Sequence, residues 1–248
     1  MLNESFALNA VPLSPGRRVY AIGDVHGRRD LLAKCLDEIR RDLAGHPCQT
    51  PHRVFLGDYI DRGPDSAGVL QTLIDLDDGI PTTFLAGNHE VYLTQFLQDA
   101  SALKMWSRVG GATALASYGV DFPFRLGPAE MAEVLRLFTE RLPGSHRLFL
   151  ERLDLKLEIE GFTFVHAGIR PNVPMHRQTA EDILTIREPF LTELNSFGTF
   201  VVHGHTPVEK PEIWPNRMNI DTRAVESGLL TCAVIEGSEV RFLWGLAS

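Results

Sequence analysis

The stretch Val54-Phe55-Leu56-Gly57-Asp58-Tyr59-Ile60-Asp61-Arg62-Gly63 passes from three apolar residues straight into a loop of glycines, carboxylates and one arginine. A short β-branched and aromatic run suits a buried strand. Glycine at its end lets the backbone turn with positive φ. The polar tips that follow then collect at the carboxyl end of the strand, where open α/β sheets bind their ligands. The pattern recurs along the chain. Residues 19–22 lead into Gly23-Asp24-Val25-His26-Gly27, and residues 82–85 into Gly87-Asn88-His89-Glu90. Residues 162–165 lead into His166-Ala167-Gly168, and residues 199–202 into His203-Gly204-His205-Thr206-Pro207. Such strand ends in one sheet system pool carboxylates, an amide oxygen and imidazoles in one place.

Helical patterns sit between these runs. Residues 30–43 put Leu31, Leu32, Cys35, Leu36 and Ile39 on one stripe, and residues 66–76 do the same with Val69, Leu70, Leu73 and Leu76. Further helical stretches are expected around 103–118 and over 128–142, and short strands with turns over 212–243. Strands alternating with helices, then a strand-rich tail, predict an α/β sandwich. With 248 residues, one domain over 17–248 is expected. Residues 1–16 are expected to be a loose lead-in, because Pro12 and Pro15 oppose regular structure.

Charge and cysteine usage narrow the class. Lys plus Arg is 24 and Asp plus Glu is 32, a net charge of −8. An acidic chain without a basic block excludes sequence-independent nucleic-acid binding and attraction to anionic membrane. Carboxylates that hold metal ions contribute to the same imbalance. Cys35, Cys48 and Cys232 form no CxxC pair, so neither a disulfide framework nor a structural zinc site is expected, and a reducing cytoplasm is. No basic residue precedes Arg17, which argues against a signal peptide. No stretch approaches the roughly 18 apolar residues of a membrane span.

Asp and Asn oxygens with His nitrogens, and no thiolate, suit manganese, iron or zinc. Six or so donors exceed one tetrahedral ion. Two ions about 3.5–4 Å apart that share a carboxylate fit better, and would activate water for in-line attack on phosphorus. Arg62, four residues after Asp58, would grip phosphate oxygens in a bidentate fork. Each piece alone has an ordinary reading: Asp24 in a turn, Asp58 and Asp61 in a solvated loop, Asn88 capping a helix that begins near Val91, His166 or His205 satisfied in the core. Those readings fail jointly, since the same residue types recur at the same place relative to a strand. His203 is set aside, because it points to the opposite face from its strand neighbour.

GDVHG, GDYIDRG, GNHE, HAGIRP and HGHTP, in this order, resemble the signature of the phosphoprotein phosphatase family of calcineurin-like metallophosphoesterases, in its short bacterial form, over roughly residues 18–237. The resemblance implies a β-sandwich flanked by helices and two divalent metal ions, manganese before iron or zinc. Carried over residue by residue, Asp24 and His26 hold the first ion, Asp58 bridges, and Asn88, His166 and His205 complete the second. His89 is the general acid, oriented by Asp61. Arg62 binds the phosphoryl oxygens, joined by Arg187, which lies in Leu184-Thr185-Ile186-Arg187-Glu188 with Thr185 where tryptophan is usual. An ordinary reading of Arg187 pairs it with Glu188 or Glu193.

The implied reaction is direct hydrolysis of phosphoserine or phosphothreonine in proteins, with phosphotyrosine as an extension, by a hydroxide shared between the ions. The alternative substrate is a dinucleoside polyphosphate such as diadenosine tetraphosphate. His26 weighs against the symmetrically cleaving branch, which carries glutamine there. A non-catalytic metal-holding module would have lost a ligand, and none is lost. Arg223 stands where relatives read D-T-G, at a cost in backbone freedom, and would add a cation at the cleft mouth. Arg28 and Arg29 are read as a helix start. The segment between Val91 and Glu151 is expected to wall part of the cleft, with Trp106 in the core.

Overall fold

Tyr20 and Ile22 are buried in one apolar core, and Val19 and Ala21, which alternate with them, in another. A strand with both faces buried lies in the middle of a layered molecule. The computed structural model describes residues 4–247, and within them two sheets stack. The first has six strands in the order β1 (Phe6–Ala7), β11 (Glu239–Leu246), β10 (Leu229–Glu236), β2 (Arg17–Ile22), β3 (Thr50–Phe55) and β4 (Thr82–Phe84). The second has five, in the order β5 (Lys156–Ile159), β6 (Phe162–Val165), β7 (Phe200–His203), β9 (Arg217–Asn219) and β8 (Glu212–Ile213). The expected α/β sandwich is present.

Parallel pairing positions the site. β2, β3 and β4 run parallel, as do β6, β7 and β9, so the carboxyl ends within each set share an edge. Val19, Ala21, Val54, Leu56, Ala233 and Ile235 of the first sheet meet Phe162, Phe164, Phe200, Val202 and Met218 of the second in the inter-sheet core. The outer face of the first sheet is covered by α1 (Arg29–Gly45) and α2 (Ser66–Ile74). It is also covered by an insertion between β4 and β5: α3 (Asn88–Gln98), α4 (Leu103–Arg108), α5 (Gly111–Ser117), α6 (Pro128–Arg141) and α7 (Gly144–Glu151). The outer face of the second sheet packs α8 (Ala180–Thr185) and Phe190. A short α9 (Ala224–Ser227) precedes β10.

Three local outcomes differ from the sequence reading. The stretch over 103–118 breaks into α4 and α5, because Gly110 sits at φ 116°, outside helical backbone. The helix after β4 begins at Asn88 and not near Val91, because the Glu90 side chain reaches back to the N–H of the capping Gly87 at 2.9 Å. Ahead of β2, Phe6–Ala7 adds a strand to β11, and Leu8 and Leu13 are buried. Apolar side chains order this segment despite its prolines. Cys35, Cys48 and Cys232 are free thiols. Among the described residues no helix is long and apolar enough to cross a membrane.

Candidate active site

Five non-glycine residues of the strand-end loops lie in left-handed backbone: His26 (φ 45°), Asp58 (52°), Asp61 (72°), Arg62 (63°) and His205 (63°). Each such residue costs about 1–2 kcal/mol relative to ordinary backbone, and clustering of this strain marks functional sites. The turns are tight enough that two neighbouring positions admit no side chain. A Cβ on Gly87 would lie 2.1 Å from Asp58 Oδ1, and one on Gly204 would lie 2.0 Å from Asp24 Oδ1.

The side chains converge on Asp58. His26 Nδ1 lies 2.9 Å from the Ile60 carbonyl and His166 Nδ1 2.9 Å from the Leu56 carbonyl. A nitrogen facing a carbonyl must carry the proton, so each neutral ring turns an Nε2 lone pair inward. His26 Nε2 points at Asp58 Oδ2 from 3.5 Å and is buried without a hydrogen-bond partner. His166 Nε2 lies 3.4 Å from Asp58 Oδ1 and 3.0 Å from Asn88 Oδ1. His205 Nδ1 lies 3.0 Å from the same Asn88 oxygen, and its backbone N–H donates to Asp24 Oδ2 at 3.1 Å.

At His26 and His166 lone pairs therefore face the Asp58 and Asn88 oxygens with no proton between them, which is the arrangement a cation resolves. Among the described residues, the groups spaced to hold a metal ion are His26–Asp58–His89 and Asp58–His166–His205, with Asp58 common to both. His89 is the poor donor of these. Its Nδ1 is taken by Asp61 Oδ2 at 2.6 Å and its Nε2 lies 3.2 Å from Arg62 Nη2. Asp24, which takes the His205 N–H, and Asn88, beside His166 and His205, are placed to offer further oxygens. The residues present fit two divalent ions.

Electrostatics agree with that fit. Burial drives the pKa of His26 and of His205 down to about 3, and lowers that of His166, so all three are neutral ligands near pH 7. Burial pushes the Asp58 carboxyl up, but His166, His89, His26 and His205 outweigh it and hold it well below the ordinary value. Asp24 is pushed well up, by burial and then by Asp221 and Asp58. Asp221 is itself raised to about 6, chiefly by burial. For His89, burial opposes charging, but the Asp58 charge and the hydrogen bond to Asp61 win and raise its pKa. His89 is the imidazole of the site suited to carry a transferable proton.

The motif reading assigns nothing to Glu90, which proves central. Its buried carboxylate accepts the backbone N–H groups of Asp58 (3.0 Å), Tyr59 (2.8 Å), Ile60 (3.3 Å) and Gly87 (2.9 Å). Its place three residues after a capping glycine was the available signal. Trp106 is fully buried, as expected of a core residue, yet its Nε1–H also donates to Asp61.

Arg187 is exposed and its side chain has no hydrogen bond or ion pair among the described residues, while its charge is felt at His205. The carboxylates of Glu188 and Glu193 bond Thr192 and Asn195 instead of Arg187. Arg223 adopts φ 55°, donates its N–H to Asp221 Oδ1 at 3.0 Å, and holds Nη2 3.9 Å from the exposed Glu209. Arg28 ties the start of α1 to the Ala224 carbonyl at 2.9 Å, and Arg29 stays at the surface near Asp65. His203 is buried against Phe190 with Nδ1 on the Gly204 carbonyl, outside both metal groups.

Residues 17–226 match the model of the calcineurin-like phosphoesterase family. The chain belongs to that family. This calcineurin-like phosphoesterase is 31% identical over 229 residues to serine/threonine-protein phosphatase 1 of Salmonella typhimurium, covering 89% of this chain and 93% of that one. It is 29% identical over 228 residues to the asymmetrical bis(5'-nucleosyl)-tetraphosphatase PrpE of Halalkalibacterium halodurans, covering 85% and 87%. Its fold resembles that of a cold-active protein tyrosine phosphatase from a psychrophilic Shewanella (TM-score 0.55, 20% identity, 95% and 81% covered). It also resembles a metallophosphoesterase from Sphaerobacter thermophilus (TM-score 0.52, 18% identity, 92% and 87% covered). The chain is a phosphoester hydrolase of a family that works with a dinuclear divalent metal site, and its candidate ligands are in place.

Proposed function

We propose that this phosphoesterase removes phosphate from phosphoserine and phosphothreonine in proteins, in the cytoplasm and with manganese as its preferred metal. Phosphotyrosine would be a further substrate. The observation that carries the reading is the buried Asp61–His89 pair at 2.6 Å. An alkoxide is a poor leaving group and needs a proton as the P–O bond breaks, whereas a nucleotide phosphate leaves readily without one. A site that invests in a raised, oriented imidazole is built for the harder case.

Asp24, His26, Asp58, Asn88, His166 and His205 would hold the ions. When bound, the ions supply nucleophilic water at neutral pH and neutralise charge on the phosphoryl oxygens. Arg62 and Arg187 grip the phosphoryl group. As Arg62 turns onto phosphate it leaves His89 Nε2, 3.2 Å away, free to face the departing oxygen. Asp61 holds Nδ1–H, so that the mobile proton sits on Nε2 and passes to the leaving group.

The second reading is asymmetric hydrolysis of a dinucleoside polyphosphate. It is favoured by the PrpE relatives and by Arg223, an additional cation suited to a distal phosphate. A paired assay on manganese-loaded protein, with a phosphoserine peptide and diadenosine tetraphosphate as substrates and Asp58→Asn as background, separates the two. A preference for the peptide by about 100-fold or more in kcat/KM, about 2.7 kcal/mol in the transition state, supports the first reading. Preference for the dinucleotide overturns it.

A further inference from the structure

We propose that Trp106 is a positioning residue for catalysis: its indole N–H fixes the Asp61 carboxylate that in turn orients His89. The inference deepens the phosphoesterase reading and rests on His89 as its proton donor.

Trp106 Nε1 donates to Asp61 Oδ2 at 2.8 Å and Oδ1 at 3.0 Å, and both residues are fully buried. Near-equal distances to the two oxygens place the indole nitrogen close to the bisector of the carboxylate. With Nδ1–H of His89 also on Oδ2, two ring N–H groups fix the orientation of the carboxylate. A neutral partner such as a backbone carbonyl would satisfy a buried indole equally well. Here the partner is the carboxylate that holds the imidazole.

The indole is itself clamped. Its ring packs against Phe96 and Phe138 at centroid distances of 5.2 and 5.8 Å. A Cβ on Gly111 would lie 2.5 Å from its Cδ2, so glycine there lets α5 approach the ring face. The neighbouring Gly110 accepts the Arg62 N–H on its carbonyl at 3.3 Å, and a Cβ at this left-handed position would lie 2.8 Å from Arg62 Cγ. The break between α4 and α5 thus touches Arg62 directly, and Asp61 through Trp106 of α4. The helical insertion thereby aligns the proton-donating machinery.

The test replaces Trp106 by β-(3-benzothienyl)alanine, which keeps the ring shape and exchanges the N–H for sulfur. Phenyl phosphate (basic leaving group) and 4-nitrophenyl phosphate (acidic leaving group) are compared on the metal-loaded enzyme. The expected result is a loss of about tenfold or more in kcat for phenyl phosphate, with 4-nitrophenyl phosphate changed by less than about threefold and KM unchanged for both. Gly111→Ala, whose methyl would press on the ring, should give the same selective loss. Equal losses on the two substrates, or none, overturn the proposal. His89→Asn runs alongside. If its loss is selective and that of the Trp106 replacement is not, the positioning role falls alone; if its own loss is not selective, the proton-donor reading falls and takes this inference with it.

Discussion

Glu90 holds Asp58 from behind, its Oε2 taking the Asp58 backbone N–H at 3.0 Å while Oε1 takes that of Tyr59 at 2.8 Å. Both carboxylate oxygens are occupied by backbone donors, so an amide cannot replace it. In Glu90→Gln one face would set an NH2 against N–H groups whichever way the side chain flips. We expect a loss of about 2–3 kcal/mol in stability and reduced retention of metal. Denaturant unfolding and metal analysis check both; unchanged stability would contradict the bracing role.

Removal of metal should lower the thermal midpoint. The acceptor atoms around Asp58 face one another without intervening protons, so the unliganded site repels itself. A ligand at a hundredfold over its Kd adds about 2.7 kcal/mol, or roughly 5–10 °C for a chain of this size. Calorimetry with and without chelator, then with manganese restored, measures it. Asp58→Asn should shrink the difference.

Arg187→Ala should raise KM about tenfold or more and leave the thermal midpoint unchanged. The side chain is exposed and, among the described residues, unpaired, so folding does not use it, whereas a phosphate–guanidinium fork is a strong contact. A fall in stability without a change in KM would return Arg187 to a surface role.

Arg223→Gly separates strain from recognition. The left-handed backbone at this position is natural for glycine, so stability should rise by about 1 kcal/mol. The lost cation should raise KM for highly charged phosphates more than for a small aryl phosphate. Equal effects on both substrate types would show that the side chain does not meet them.

Acid stability should depend on Asp42, far from the site. Burial raises its carboxyl, but hydrogen bonds from Arg241 and Tyr20 and the charges of Arg241 and Arg18 outweigh that and hold it below the ordinary value. With the folded-state pKa depressed, the unfolded chain binds protons first as pH falls. The stabilisation is complete above about pH 4 and is lost as pH drops through the folded-state value. Asp42→Asn should therefore cost about 3–5 kcal/mol at pH 7, with the gap to the parent protein narrowing below about pH 4. A gap that does not vary with pH would contradict it.

Much of the site was legible because strand ends are punctuated. Gly57-Asp58 and Gly23-Asp24 mark both where a strand stops and which atoms meet there. The gathering of Asp, Asn and His side chains in these loops therefore followed from local pattern, while the share of each in holding metal came from the family resemblance. Glu90 and Trp106 were harder for different reasons. The Glu90 carboxylate serves backbone N–H groups, which have no signature in side-chain identity. Trp106 is 45 residues from Asp61, and its apolar bulk fits the core so well that nothing local announces a use for its one polar atom. The segment ahead of β2 was misread because Leu8 and Leu13 are ordered by strands that lie more than 200 residues later in the chain.

The central position of β10 between β2 and β11 also fixes when the molecule can come into being. During synthesis β2 is made first, yet its antiparallel neighbour follows more than 200 residues later. Until then β2 has an open edge, and the loop carrying Asp24 and His26 lacks half of its support. The growing chain therefore cannot close this sheet beside its active site until residue 229 and those after it are made, and a product cut short before them would lack two of the sheet's interior strands, β10 and β11.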